Sequence, residues 1–125
     1  ALVDMAYHSQ REAPRDPLAF EAGTLERLGM PKEIAMRHRT PHFLHVFSGD
    51  GYSAGYYSYM WSEVLDADAF SAFEETGDVF DAATAQKLRA HIYSAGGTKD
   101  PEELYRAFRG KMPSPEAMME KRGLS

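Results

Sequence analysis

The sequence contains no cysteine among its 125 residues, which excludes disulfides and thiolate metal sites. Such a composition fits a reducing compartment, and we expect a cytoplasmic protein. Basic residues are outnumbered, 14 against 19 acidic ones, and the net charge of −5 argues against a general role on nucleic acid or anionic membranes. No apolar run approaches the ~20 residues that a bilayer-spanning helix needs. We therefore expect neither nucleic acid nor membrane as a partner.

Helix boundaries are clearly marked along the chain. A capping residue followed by proline occurs three times, at 16–17, 100–101 and 114–115. Apolar residues recur at helical spacing between these starts and later glycines, which favour the left-handed conformation that ends a helix. The pattern predicts an all-α, multi-helix fold. Helices are expected over 17–28, 53–76, 82–95, 101–109 and 115–121, with glycine stops at 29, 77, 96, 110 and 123.

Two segments fall outside this regular pattern. Residues 30–51 contain two prolines and two glycines, and we expect one long irregular segment with at most a short turn at 31–36. The first seven residues are compatible with the end of a helix or with a short strand.

The segment 51–61, GYSAGYYSYMW, places four tyrosines and one tryptophan in eleven positions. In a helix that begins near residue 52, a turn of about 100° per residue puts Tyr52, Tyr56 and Tyr59 on one narrow face. The opposite side is expected to pack into the core, and it carries Tyr57, Met60, Trp61, Val64 and Leu65.

The tyrosine face has two interpretations that periodicity does not separate. Each phenol carries an O–H donor on a stiff apolar stem, which suits binding a carbonyl or an oxyanion in a cleft. The other interpretation is structural, with the rings packed beneath neighbouring helices and their hydroxyls bonded to the backbone.

Three histidines, His38, His42 and His45, lie just before the tyrosines in RHRTPHFLHVF. Pro41 interrupts any helix joining His38 to His42, and the sequence contains no H-E-x-x-H. We therefore expect no metal site built from this chain's own residues. A histidine beside the tyrosine hydroxyls could act as a donor to a charged intermediate, and a histidine bonded to a backbone carbonyl is the structural alternative.

The stretch HFLHVFSGDGYSAGYYSYMWSEVLDADAF, at 42–70, resembles the C-terminal region of the thimet oligopeptidase and peptidyl-dipeptidase family of zinc metallopeptidases. Its core, G-Y-x-A-G-Y-Y-S-Y-x-W, is most similar to the bacterial, oligopeptidase A-like and peptidyl-dipeptidase branch. Further matching stretches follow in order along nearly the whole chain: LVDMAYH at 2–8, DPLAFE at 16–21, GMPKEIAMRHRTPHF at 29–43, SAGGTKDPEELYRAFRGKMP at 94–113 and EKRGL at 120–124.

The resemblance implies a mostly helical peptidase with a deep channel for short peptides, in which residues 1–125 form the C-terminal part of the catalytic domain. Family members hold zinc with two histidines of H-E-x-x-H and a glutamate on the next helix. These ligands are expected N-terminal to this chain, in the remainder of the peptidase polypeptide. We therefore expect zinc only in the full-length enzyme, release of C-terminal dipeptides as its reaction, and no activity of this chain alone.

The resemblance also implies roles for individual residues. It assigns Tyr52 and Tyr59 to the tyrosines that bind the substrate carbonyl and the developing oxyanion, and His45 to the family's histidine. The number of residues between this histidine and the tyrosines differs among family members, so His42 is the alternative residue for the family's histidine. The substrate-binding candidates are Tyr56, Arg39, as a partner for a peptide carboxylate, and His42.

One alternative belongs to another functional class: a non-catalytic helical module that binds peptides or dimerises through the tyrosine face. In the peptidase interpretation, apolar surface that the rest of the enzyme covers is exposed on this chain alone. Self-association of the isolated chain is then expected.

Overall fold

The computed structural model describes residues 1–124, which are helical with no β-strand, so the predicted all-α fold is confirmed. Two compact units divide the chain, one from Ala1 to Tyr59 and one from Met60 onward. None of the helices within residues 1–124 is long and apolar enough to cross a membrane. The helices are α1 Leu2–His8, α2 Pro17–Arg27, a 3₁₀ helix Thr40–His42, α3 Leu44–Phe47, α4 Ser58–Glu74, α5 Ala82–Leu88, α6 Pro101–Arg109 and α7 Glu116–Lys121.

Two of the three predicted helix starts are capped as expected. The Asp16 carboxylate accepts the N–H groups of Leu18 and Ala19 at the start of α2, and the Asp100 carboxylate accepts the N–H of Glu102 at the start of α6. The third differs by one residue, because Pro115 itself occupies the cap position of α7 and no side chain caps that helix.

The predicted helix 82–95 changes type partway along. It is α-helical only to Leu88 and continues as a π-helix over Arg89–Tyr93, where the N–H of Ser94 bonds to the carbonyl of Arg89. The stop predicted at Gly96 falls one residue later, at Gly97, whose φ is 75°. The stops predicted at the other four glycines, 29, 77, 110 and 123, also have positive φ.

The helix predicted over 53–76 begins at Ser58 and ends at Glu74, so its predicted start is wrong by five residues. Residues 51–57 form successive turns instead, and Ala54 has a φ of 57°, which a right-handed helix cannot contain. Tyr52 and Tyr56 therefore lie on turns before the helix rather than on a helix face.

The segment predicted as irregular, 30–51, contains two short helices, the 3₁₀ helix and α3. The turn predicted at 31–36 is present, since the N–H of Ile34 bonds to the carbonyl of Pro31 at 3.1 Å. The first residues, predicted as a helix end or a strand, form α1.

The core of the second unit is smaller than the sequence pattern predicts. Val64 and Ala67 of α4 pack with Met118 of α7, whereas Trp61 is 52% exposed and Leu65 is half-buried. Trp61 and Leu65 line an open, mainly apolar cavity of about 570 Å³ instead of being covered. The predicted core side of α4 is thus confirmed only at Val64, and Tyr57 and Met60 are also exposed.

Candidate functional site

Four of the predicted site residues lie together in the first unit, and we call His45, Tyr52, Tyr56 and Tyr59 the tyrosine–histidine cluster. The ring of His45 meets all three phenol rings edge-on. Its centroid lies 4.3 Å from that of Tyr52, 5.6 Å from that of Tyr56 and 5.9 Å from that of Tyr59. The hydroxyl of Tyr59 lies 3.1 Å from Nε2 of His45, within hydrogen-bonding distance. The predicted residues are therefore neighbours, while their predicted catalytic roles stay predictions.

The tyrosine rings pack on one another without being buried. Tyr52 is 42% exposed and Tyr59 is 49% exposed, and Tyr56 lies against Tyr59 with ring centroids 5.0 Å apart. Within residues 1–124, Tyr52 and Tyr59 are therefore not buried beneath neighbouring helices, as the structural interpretation requires.

The neighbours of Tyr59 in the cluster raise its pKa above the ordinary value of 10.0. Interaction with the hydroxyl of Tyr52 is the main cause that raises the pKa of Tyr59, followed by partial removal from water and the proximity of Tyr56. A phenol with a raised pKa remains a neutral O–H group at physiological pH. It can therefore donate a hydrogen bond to a carbonyl oxygen or an oxyanion.

Local packing around α3 explains why His45 faces the tyrosines. Val46, the next residue, is almost completely buried, and its carbonyl accepts a hydrogen bond from the Ser53 hydroxyl at 3.0 Å. Phe43, just before α3, meets the Tyr56 ring edge-on at 4.8 Å. These contacts join α3 to the turns that carry the first two tyrosines of the cluster.

Asp4 of α1 holds those turns, although the sequence analysis did not select it. One carboxylate oxygen accepts the N–H of Ala54 at 3.0 Å and the other accepts the N–H of Tyr56 at 3.1 Å. Nδ1 of His8 lies 2.8 Å from the first of these oxygens, and the Asp4 side chain is only 2% exposed. No local pattern could reveal a contact across about fifty residues.

The two remaining candidates lie outside the cluster's hydrogen bonds and ring contacts. Nε of Arg39 donates to the buried carboxylate of Glu21 at 2.9 Å, so this arginine already has an intramolecular partner. His42 is exposed on the 3₁₀ helix, where its backbone N–H bonds to the carbonyl of Arg39, and its side chain makes no hydrogen bond or ring contact within residues 1–124. The substrate-binding roles of Arg39 and His42 stay predictions.

The described residues do not fit a zinc site. Within 1–124, no group of three or more histidine, aspartate or glutamate side chains is arranged to hold a metal ion. The tyrosine–histidine cluster offers one imidazole among neutral phenols, which is not a zinc donor set of the usual kind.

Comparison with known proteins gives one consistent family. The model of "Peptidase family M3" matches residues 1–124. The chain is 51% identical to oligopeptidase A of Escherichia coli over 87 residues, which are 69% of this chain and 12% of that protein. It is 39% identical to the dipeptidyl carboxypeptidase of the same organism over 129 aligned residues, covering 100% of this chain and 18% of that protein. The chain thus spans less than a fifth of the length of these relatives.

Proposed function

Because this chain belongs to peptidase family M3, we propose that it is part of a zinc-dependent peptidase that hydrolyses short peptides. The family match over residues 1–124 and the names of the relatives support this reaction class. The alignment with a dipeptidyl carboxypeptidase over the whole chain favours release of C-terminal dipeptides. The zinc ligands, on this proposal, belong to a longer polypeptide in which the rest of the peptidase is this chain's main partner.

The tyrosine–histidine cluster is proposed to bind the peptide at the scissile bond. When water attacks the carbonyl carbon, the carbonyl oxygen becomes an oxyanion that needs hydrogen-bond donors already in place. Tyr52 and Tyr59 are the proposed donors. In this proposal His45 orients the Tyr59 hydroxyl by donating its Nε2–H to the phenol oxygen, which leaves the Tyr59 O–H proton for the oxyanion. The observation that carries this proposal is the 3.1 Å separation of the Tyr59 hydroxyl and Nε2 of His45, beside a second half-exposed phenol.

The test is replacement of Tyr59 by phenylalanine in the full-length gene product, assayed with fluorogenic short peptides. We expect kcat to fall by roughly 10²–10³, the effect of removing one oxyanion donor, with a much smaller change in KM. Tyr57→Phe is the matched control, because Tyr57 is exposed and makes none of the ring contacts of the cluster.

Two outcomes would count against this assignment. An unchanged kcat in Tyr59→Phe would remove Tyr59 from the reaction. A full-length product that binds short peptides but never hydrolyses them would favour the non-catalytic module.

A further inference from the structure

We propose that Asp4 is a positioning residue, which fixes the turn over residues 51–57 and thereby the placement of Tyr52 and Tyr56 beside His45. The kinetic part of this inference rests on the proposed function of the tyrosine–histidine cluster. The structural part, that Asp4 holds the turn, stands independently of any reaction.

The carboxylate of Asp4 uses both oxygens on this turn. Ala54 and Tyr56 donate their N–H groups to different oxygens at 3.0 and 3.1 Å, and the N–H of Gly55 between them bonds to the carbonyl of Tyr52 at 2.9 Å. Three successive N–H groups are thereby satisfied, two of them by one side chain. Hydrogen bonds to an ionised carboxylate are stronger than those between neutral groups.

The turn needs this support because of its backbone. Ala54 has a φ of 57°, and it is the one non-glycine residue with positive φ in the described chain. A residue with a Cβ atom rarely adopts this conformation unless its surroundings hold it there. The bond from the N–H of Ala54 to Asp4 is a contact that holds it directly.

Asp4 itself is held in place from its own helix. Nδ1 of His8 lies 2.8 Å from Oδ1 of Asp4 and 3.0 Å from the Asp4 backbone carbonyl, so it donates to these acceptors. The His8 ring lies 5.2 Å from that of Phe47, the last residue of α3. The carboxylate is therefore fixed against α1 and at the same time bonded to the turn.

The turn connects this support to the cluster. Tyr52 and Tyr56 lie on either side of Ala54, and both contact the His45 ring. A displacement of the turn moves the phenol rings relative to His45 and to a bound carbonyl. Misplacement of about 1 Å in a catalytic group can cost on the order of 10²-fold in rate.

Asp4→Asn in the full-length gene product tests the inference. Asparagine has the same shape, but its NH₂ group faces a backbone N–H where an acceptor is needed. We expect kcat to fall about 10- to 100-fold with little change in KM. In a Tyr52→Phe background the same substitution should cost about threefold or less, because the residue that Asp4 positions has already lost its hydroxyl.

Hydrogen exchange gives a readout independent of activity. In the unmodified protein, the amides of Ala54 and Tyr56 should exchange more slowly than unprotected amides, and Asp4→Asn should speed their exchange about tenfold. Asp68→Asn is the matched control: this buried carboxylate bonds to Tyr105 and Arg109, and its loss should leave exchange in residues 49–59 and kcat unchanged.

The outcomes separate the inference from the proposed function. Unprotected Ala54 and Tyr56 amides in the unmodified protein would overturn the role of Asp4, whether or not the variant folds. Equal costs in kcat of Asp4→Asn with and without the Tyr52 hydroxyl would overturn the kinetic part of the inference. If Tyr59→Phe leaves kcat unchanged while Asp4→Asn speeds exchange, the proposed function fails and the structural part of the inference holds.

Discussion

Tyr52 and Tyr59 are stacked, with ring centroids 5.9 Å apart and ring planes only 13° from parallel. One residue belongs to the turns before α4 and the other to the first turn of that helix. The stack therefore joins an irregular segment to a regular one within the first unit. Both phenols, which we propose as oxyanion donors, also contact the His45 ring.

The stack predicts a titration effect. The hydroxyl of Tyr52 is the main cause of the raised pKa of Tyr59, so Tyr52→Phe should lower that pKa towards its ordinary value of 10.0. Phenolate absorbance during alkaline titration isolates the Tyr59 signal by difference in each background: the unmodified protein is compared with Tyr59→Phe, and Tyr52→Phe is compared with the double variant. Titration of Tyr59 at the same pH with and without the Tyr52 hydroxyl would contradict the prediction.

Much of this site could be predicted from the sequence, for reasons that the tyrosines illustrate. Helical spacing grouped Tyr52, Tyr56 and Tyr59, and the structure also brings them together. The predicted helix face is wrong, because Tyr52 and Tyr56 lie on turns and not on a helix. The three tyrosines are nevertheless neighbours, because residues on successive tight turns, like those on a helix, can return to one side of the chain.

The parts that could not be predicted depend on contacts between distant residues. The bonds from Asp4 to the turn and from Glu21 to Thr40 join residues 19 or more positions apart, and no local pattern encodes them. Helix starts were predictable where an aspartate side chain caps the first turn, as at Asp16 and Asp100. The exposure of Trp61 could not be predicted, since it depends on what covers one side of α4.

A buried carboxylate in the first unit predicts acid sensitivity. Burial alone would raise the pKa of Glu21, but hydrogen bonds from the backbone and hydroxyl of Thr40 and from Arg39 outweigh burial and hold it below 4.5. Because the folded-state pKa is depressed, the stabilisation is present above about pH 4.5 and is lost as the pH falls through the folded-state value.

Glu21→Gln should therefore cost about 1–3 kcal/mol in the free energy of unfolding at pH 7 and flatten its decline in acid. Urea denaturation between pH 3 and 7 measures both effects. Glu26→Gln is the control, since Glu26 is exposed on the same helix. A parallel decline in acid for Glu21→Gln and the unmodified protein would show that Glu21 does not cause the sensitivity.

In the second unit, we expect the loss of Arg109 of α6 to cost more stability than the loss of its partner Glu75. Its buried guanidinium donates to both carboxylate oxygens of Glu75, at 2.7 and 2.6 Å, and to the carbonyl and carboxylate of buried Asp68, at 3.0 and 3.1 Å. The Arg109 side chain is 5% exposed and that of Glu75 is 55% exposed. Removing the arginine strands a buried carboxylate, whereas removing the glutamate leaves a guanidinium that still pairs with Asp68.

Arg109→Met should therefore lower the free energy of unfolding by about 3–5 kcal/mol. Glu75→Gln should cost about 1 kcal/mol or less, as exposed ion pairs do. Arg109→Lys should fall between them, because lysine keeps the charge but lacks the planar fork that bonds both carboxylates. Urea denaturation of the three variants measures the order, and equal losses for Arg109→Met and Glu75→Gln would mean that the exposed pair, not the buried one, stabilises the contact between α4 and α6.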